Sequence, residues 1–307
     1  MGGMGEMIFF RQVSMIPIHD ILPHLVAPLK SGEITRFAPS PSGYLHLGHA
    51  FSAMFASSLA ATSGGLMCLR IDDIDTTRCR EIYFDAIFED LAFLGIPYAE
   101  PVRYQSQHLS ASHEALEYLK NQDLIYPCYL SRRELAELLS APHHPSNTDQ
   151  LITSNIRSER EADGNQPAWR LRMATIRDRF RDIQATDLIH GQVNIVLENI
   201  GDEVIARKDI GTSYHLSTVL DDDAMGVSLV SRGYDLFDAI PVQRILQELL
   251  GITPPRYAHH ELIPNEQGQR LAKRENALSL RQMRQNGCDR DLILRMMTKC
   301  RNFIEKK

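Results

Sequence analysis

Long apolar runs are missing from the 307 residues, and no stretch approaches the roughly 20 needed to cross a bilayer as a helix. The opening segment is broken by Glu6, Arg11, His19 and Asp20 before a secretory core can form, so the expected location is the cytoplasm. Paired cysteines are missing too. Cys68, Cys79, Cys128, Cys288 and Cys300 are odd in number, scattered and without a CxxC pair, which excludes a disulfide scaffold and fits free thiols in a reducing compartment. A large charge of one sign is also absent: 33 basic against 39 acidic residues give −6, which argues against a general polyelectrolyte clamp on nucleic acid. No repeat of fixed period is visible. Among the bases lysine is scarce, 7 against 26 arginines, and arginine is the side chain suited to two-pronged grips on carboxylate and phosphate.

What is present is the composition of a globular chain, 43% hydrophobic and 23% charged, large enough for one large or two ordinary domains. Residues 1–32, interrupted by Pro17, Pro23 and Pro28, read as a loosely attached N-terminal extension. After them GEITRFAP reads as a strand, PSPSGY as a tight loop and HLGHAFSAMFASSLAATSGG as a helix burying Phe51, Met54, Phe55 and Leu59. LMCLRI follows as the next strand, completing the right-handed unit of a parallel sheet. A second amphipathic helix turns Ile87, Phe88, Leu91 and Leu94 inward. From 103 to 206 the character changes: a helix through SASHEALEYLKNQ, a capping box from Ser131 to Glu134, then a polar stretch, APHHPSNTDQ. This is read as an inserted α+β subdomain. The alternation returns with VIARKD, a helix through SYHLSTVLDD, the strand VSLVSRG and a helix with Val242, Ile245, Leu246 and Leu249 on one face. The expected division is therefore an extension (1–32), two halves of an α/β domain (33–102 and 207–262) around an insertion (103–206), and a tail (263–307).

The chemistry concentrates at the first strand-to-helix turn, where His46-Leu-Gly48-His49 sets two imidazoles three residues apart at a helix start. Backbone N–H groups there make an anion site, and imidazoles strengthen contacts to phosphate as charge grows. Gly48 lets a flat ring approach the backbone. Alone, HxGH is a weak signal, and small-molecule nucleotidyltransferases that couple ATP to a carboxylate or phosphate also use it. Preceded by Arg36-Phe-Ala-Pro-Ser-Pro-Ser-Gly43, however, it resembles the class I aminoacyl-tRNA synthetases, specifically the glutamyl branch. LRIDDIDTTR, RYQSQ, VSLVSRGYDL and Arg270-Leu-Ala-Lys273-Arg-Glu275 match further signatures in order, the last in place of the "KMSKS" loop.

The resemblance implies a Rossmann-like parallel-sheet catalytic domain and an enzyme that adenylates glutamate with ATP and Mg²⁺. It places Arg36 and Arg232 on the substrate carboxylates, Asp72 on the α-ammonium, and Phe37, Ala38, Pro39, Ser40 and Tyr214 around the pocket. Asp72 stands where the family usually has Glu. His46, Gly48 and His49 serve the ATP phosphates from one side and Lys273, on its loop after Gly268, closes from the other; a solvated basic turn is the alternative for Lys273. A glutamate site physically requires more than one buried arginine and an acid. The basic cluster Arg170, Arg172, Arg177, Arg179 and Arg181 is the expected tRNA-facing surface, with an ordinary solvated face as the alternative.

Only residues 278–307 follow the KMSKS-like loop, so no anticodon-binding domain is expected. The chain thus resembles the short paralogues of glutamyl-tRNA synthetase that activate L-glutamate without tRNA and pass it to queuosine at the wobble position of tRNA(Asp), here as a monomer. Those paralogues often bind zinc through a CxC pair. This sequence has Tyr126-Pro-Cys128-Tyr-Leu130, with Leu130 at the second cysteine's place, and no zinc is expected, His143 and His144 notwithstanding. A truncated glutamyl-tRNA synthetase charging a tRNA 3′ end, and a non-catalytic tRNA- or partner-binding paralogue, are the competing readings.

Overall fold

Residues 34–71 form a strand, a helix and a second strand, and everything else is arranged around them. In the computed structural model, which describes residues 25, 28–131, 133–135, 154–262 and 278–299, β1 (Ile34–Phe37) runs parallel to β2 (Leu66–Ile71), with Arg36 opposite Cys68. The connecting helix α1 (Leu47–Ser63) is buried nearly all round. The expected face of Phe51, Met54, Phe55 and Leu59 is inside, and Ala50, Ala53, Ala56 and Ala60 are buried as well. Small residues on the remaining faces let the helix sit close to its neighbours. Gly64, in the left-handed region, ends it.

Helix α2 (Glu81–Leu94) carries the chain across to β3 (Ala99–Tyr104), which adds in parallel to β2. Helix α3 (Leu109–Asn121) follows, and then the insertion folds around an antiparallel sheet of β4 (Ile125–Cys128), β5 (Ala168–Leu171) and β8 (Val204–Ala206), ordered β4-β5-β8. Between these strands lie α4 (Ser154–Ala162) and α5 (Met173–Arg179). The capping box is present: Ser131 N–H donates to Glu134 Oε2 at 2.7 Å and Glu134 N–H to Ser131 Oγ at 3.2 Å.

Not every strand of residues 103–206 stays in that subdomain. β6 (Gln184–Asp187) and β7 (Gly191–Asn194) join β9 (Leu229–Gly233) and β10 (Arg256–His260) in a second sheet, ordered β7-β6-β10-β9. β6, β10 and β9 are parallel. Helices α6 (Tyr214–Ala224) and α7 (Ile240–Leu250) frame β9, with Val242, Ile245, Leu246 and Leu249 buried as the periodicity predicts. Two short helices, α8 (Leu280–Gln285) and α9 (Arg290–Lys299), return to the first half, where Leu280, Met283, Ile293 and Met297 enter the core. Leu25, from the expected extension, is buried in that same core.

The two parallel sheets abut at β1 and β9, where Ser228 N–H donates to Ile34 O at 3.0 Å. Reading across, the order is β3-β2-β1 and then β9-β10-β6. Strand order reverses at the β1/β9 seam, and in doubly wound sheets a crevice opens beyond the carboxyl ends of the strands at such a point. Among the described residues no helix is long and apolar enough to cross a membrane.

Candidate active site

A cavity of about 410 Å³ occupies that crevice. β1 supplies Arg36 and Phe37, the following turn Ala38, the start of α1 His46, Gly48, His49 and Ser52, and the end of β2 Arg70 and Asp72. From the other half come Tyr214, then Ser231, Arg232 and Gly233 of β9, and His260 of β10. Most of the residues expected from sequence therefore line one space. Ser40 is exposed and Pro39 buried; neither lines the cavity, and the Pro39 carbonyl accepts the Asp72 N–H at 2.9 Å. Lys273 and the loop from Arg270 to Glu275 lie outside the described residues, as do His143 and His144.

The HxGH turn is a capping box built from histidines. His46 Nδ1 accepts the Gly48 N–H at 3.1 Å, and His49 Nδ1 accepts the His46 N–H at 3.2 Å. An acceptor Nδ1 puts the proton of each neutral ring on Nε2, so both imidazoles are hydrogen-bond donors there. The rings lie 3.9 Å apart between centroids. A Cβ on residue 48 would come within 2.9 Å of His46 Cε1, which is why glycine stands there. His260 braces this turn from β10. It packs edge-on against Phe51 and Phe55, and its Nε2 lies 3.0 Å from Ser52 Oγ, a hydroxyl also 3.0 Å from the Gly48 carbonyl. Burial pushes the His260 pKa down to about 4.

Three buried arginines surround the floor. Arg70, 1% exposed, grips Asp72 with two nitrogens (2.6 and 3.3 Å) and reaches Asp222 Oδ1 at 2.6 Å. Its pKa is raised: burial alone would lower it, and the charges of Asp72 and Asp222 prevail. Arg36 donates to the same Asp222 oxygen at 3.1 Å and to the Ser231 carbonyl at 2.8 Å. Asp72 therefore meets a guanidinium on both oxygens, while burial raises its pKa against the pull of Arg70. Arg232 is different. Its partners are all neutral: His259 Nε2 at 2.8 Å, Gln243 Oε1 at 3.0 Å and Tyr214 OH at 3.2 Å. Its Nη2 and the Ser231 hydroxyl have no hydrogen-bond partner among the described residues.

Arg36 and Arg70 share the carboxylates of Asp72 and Asp222, whereas among the described residues the Arg232 guanidinium makes no ion pair of its own; Asp235 lines the same cavity, and Asp187 stands behind His259. A buried charge lacking its counter-ion is costly, and a carboxylate ligand satisfies it. Arg70, Ser231, His259 and His260 escape the motif reading. Arg70 has a local signal, because two positions before Asp72 on a strand is the same face.

The expected tRNA-facing cluster is partly structural. Arg170 Nη1 donates to the Asp202 carbonyl, Arg177 to those of Leu197 and Ile200, Arg179 to that of Gln122, and Arg172 pairs with Asp123. Arg179 and Arg181 are exposed. Cys128 is buried beside Tyr126, with Leu130 packed on both. Among the described residues no group of three or more His, Cys, Asp or Glu is placed to hold a metal.

Comparison with known proteins agrees with this fold. The family model described as tRNA synthetases class I (E and Q), catalytic domain, matches residues 34–306. A Rhodobacter capsulatus protein named glutamyl-Q tRNA(Asp) synthetase is 40% identical over 278 residues, covering 86% of this chain and 99% of that one. A Gluconacetobacter diazotrophicus protein named glutamate–tRNA ligase 2 is 38% identical, but this chain spans only 58% of it. Among solved structures, the glutamate tRNA ligase of Elizabethkingia meningosepticum in complex with its amino acid matches with a TM-score of 0.65 at 25% identity. That match covers 84% of this chain and 54% of the ligase, so the chain spans about half the length of that structural relative.

Proposed function

The chain belongs to the class I tRNA synthetases of the glutamate and glutamine group, and on that premise we propose that it activates L-glutamate with ATP in the absence of tRNA and passes the glutamate to queuosine at the wobble position of tRNA(Asp). It is a ligase of that family. The observation that carries the glutamate reading is Arg232, a buried cation with only neutral partners, facing Arg36 and Arg70 across one cavity. The choice of acceptor is supported by 40% identity to a relative named glutamyl-Q tRNA(Asp) synthetase, over 99% of its length.

In the proposed reaction an oxygen of the glutamate α-carboxylate attacks the α-phosphorus of ATP. The bond from that phosphorus to the bridging oxygen breaks, and pyrophosphate leaves with the electron pair. No covalent nucleophile is needed; positioning and neutralisation of charge carry the step. His46 and His49, donors at Nε2, receive the phosphates. Arg232 and Arg36 take the substrate carboxylates, Tyr214 and the backbone around Ala38 shape the pocket, and Asp72 takes the α-ammonium by sharing its oxygens between that group and Arg70. Lys273 closes on the pyrophosphate. Magnesium enters with ATP as part of the substrate. The face carrying Arg179 and Arg181 meets the tRNA, so charge reversal there lowers tRNA affinity in a salt-sensitive way while leaving activation of glutamate intact.

Exchange of labelled pyrophosphate into ATP tests this directly. Exchange with glutamate and no tRNA, lost in His49→Ala and Lys273→Ala, followed by transfer to tRNA(Asp) carrying queuosine but not to tRNA(Asp) lacking it, is the expected result. Exchange that appears only on adding tRNA(Glu) assigns the chain to ordinary glutamyl-tRNA synthetases instead. Silence under every condition assigns it to non-catalytic binding.

A further inference from the structure

Arg232 is useful to an anionic ligand only if its guanidinium is held at one angle, and two of the groups that hold it, His259 and Gln243, do not line the cavity. Behind Arg232 Nε stands His259, fully buried on β10, its Nε2 at 2.8 Å. The other ring nitrogen, Nδ1, lies 2.6 Å from Oδ2 of Asp187, whose side chain is likewise fully buried at the end of β6. Asp187 also receives three backbone N–H groups, from Ile189 at 2.8 Å, His190 at 3.0 Å and His259 itself at 3.2 Å. So many donors keep it an ionised acceptor, with its pKa below the ordinary value although burial opposes this.

The hydrogen bonds then follow from one another. A carboxylate can only accept, so His259 Nδ1 carries the proton. Burial lowers the His259 pKa and leaves the ring neutral, so Nε2 carries the lone pair. Arg232 Nε, always a donor, is the group that lone pair can take. With Nε tied to His259 and Nη1 to Gln243 and Tyr214, the guanidinium plane is set, and Nη2, itself buried, has no hydrogen-bond partner among the described residues. We infer that Asp187 and His259 are positioning residues for substrate recognition: together they lock the imidazole tautomer that aims Arg232 at the substrate carboxylate. This rests on the reading of Arg232 as a ligand of that carboxylate. It also gives β6, read from sequence as part of the insertion, a role two hydrogen bonds from the amino-acid pocket.

The test separates ligand orientation from simple stability. Dissociation constants for glutamate and for ATP are measured by calorimetry on the full chain, with thermal melts alongside, for Arg232→Ala, Asp187→Asn, His259→Asn and His259→Gln. Asparagine at 187 can donate where aspartate accepted, which favours the opposite tautomer and sets Nε2–H against Arg232 Nε–H. Asparagine at 259 retains a group near Nδ1 only, whereas glutamine places its amide oxygen near Nε2. The expected outcome is glutamate binding weakened roughly ten- to hundredfold in Asp187→Asn and His259→Asn, near-normal binding in His259→Gln, and ATP binding unchanged in all three. If glutamate and ATP weaken together, or the glutamine variant is as impaired as the asparagine one, the two residues are merely structural and the proposal is overturned. Intact glutamate affinity in Arg232→Ala overturns the underlying reading of the pocket instead. Loss there, with wild-type affinity in Asp187→Asn and His259→Asn, overturns the positioning role alone. Should His259→Asn fail to fold, Asp187→Asn against His259→Gln decides the matter.

Discussion

The smallest decisive feature of this molecule is the absence of a side chain at position 48. A methyl group on Gly48 meets His46 Cε1 at 2.9 Å, so Gly48→Ala swings the His46 ring off its cap. Pyrophosphate exchange is expected to fall roughly 10- to 100-fold with the glutamate KM unchanged; an unaffected rate shows that His46 does not need this pose. His49→Ala removes half of the capping box together with the donor that the proposed reaction assigns to the phosphates, so a larger fall, about 10²- to 10³-fold in kcat, is expected together with a stability loss of about 1 kcal/mol. A melt that falls without the rate marks His49 as a cap alone. These positions are legible in the sequence because their spacing carries their chemistry. Arg36, Asp72 and Arg232 are legible through the same ordered motifs, but the carboxylate that ties Arg36 to Arg70 is not. Asp222, which joins Arg36 to Arg70, comes from α6 and is far from both in sequence. His259 and His260 follow no motif, and only the fold shows that adjacent residues serve Arg232 and the HxGH turn separately.

Elements are legible in the sequence where a helix has a clear apolar stripe or a strand a continuous apolar run, as in α1, α2, α7, β2 and β9. The strands that escape such a reading are short and mixed in polarity: β6 is Gln-Ala-Thr-Asp and β7 Gly-Gln-Val-Asn. Such segments become strands because partners are waiting for them, and no local pattern announces it. The docking of α8 on α2 is equally hidden, and it includes a charge that the core tolerates poorly. Asp90 of α2 is fully buried, and neither oxygen makes a hydrogen bond among the described residues, although Arg284 Nη2 of α8 lies 3.0 Å away. Burial pushes its pKa up to about 6, with Arg284 only partly offsetting this. Between its ordinary value and about 6 the native state holds a proton that the unfolded state has lost, so this group erodes stability as pH rises through that window. Asp90→Asn keeps the shape and removes the charge. It is expected to stabilise the protein by about 1–3 kcal/mol at pH 8 and by much less at pH 5, read from urea unfolding. Equal effects at both pH values, or destabilisation at pH 8, show that the ion pair with Arg284 outweighs the burial.

At the scale of the whole molecule, the cavity depends on two sheets meeting at one seam, and acid acts on histidines near it. His260 of β10 and His215 of α6 are both pushed down to about 4, His260 by burial and His215 by burial together with the charge of Arg232. In the unfolded chain a histidine titrates near 6.5. Between that value and about 4 the unfolded state therefore binds protons that the native state refuses, and stability falls as the pH falls through the window. Asp90 acts in the opposite direction below about 6 and offsets part of that loss. His260 has the larger functional consequence. Neutral, its Nε2 lies at hydrogen-bond distance from the Ser52 hydroxyl and braces the start of α1, where the two histidines of the HxGH turn sit; protonated, it becomes a buried cation beside Phe51 and Phe55. His260→Gln keeps a group that can face Ser52 and cannot take up a proton in this range. Its unfolding free energy is expected to depend less steeply on pH between 6.5 and 4.5 than that of the wild type, at some cost in stability at pH 7 because glutamine does not fill the space between the two phenyl rings. Wild-type steepness in the variant shows that His260 is not the brace that acid removes, and the same measurement on His215→Gln then tests the histidine beside Arg232.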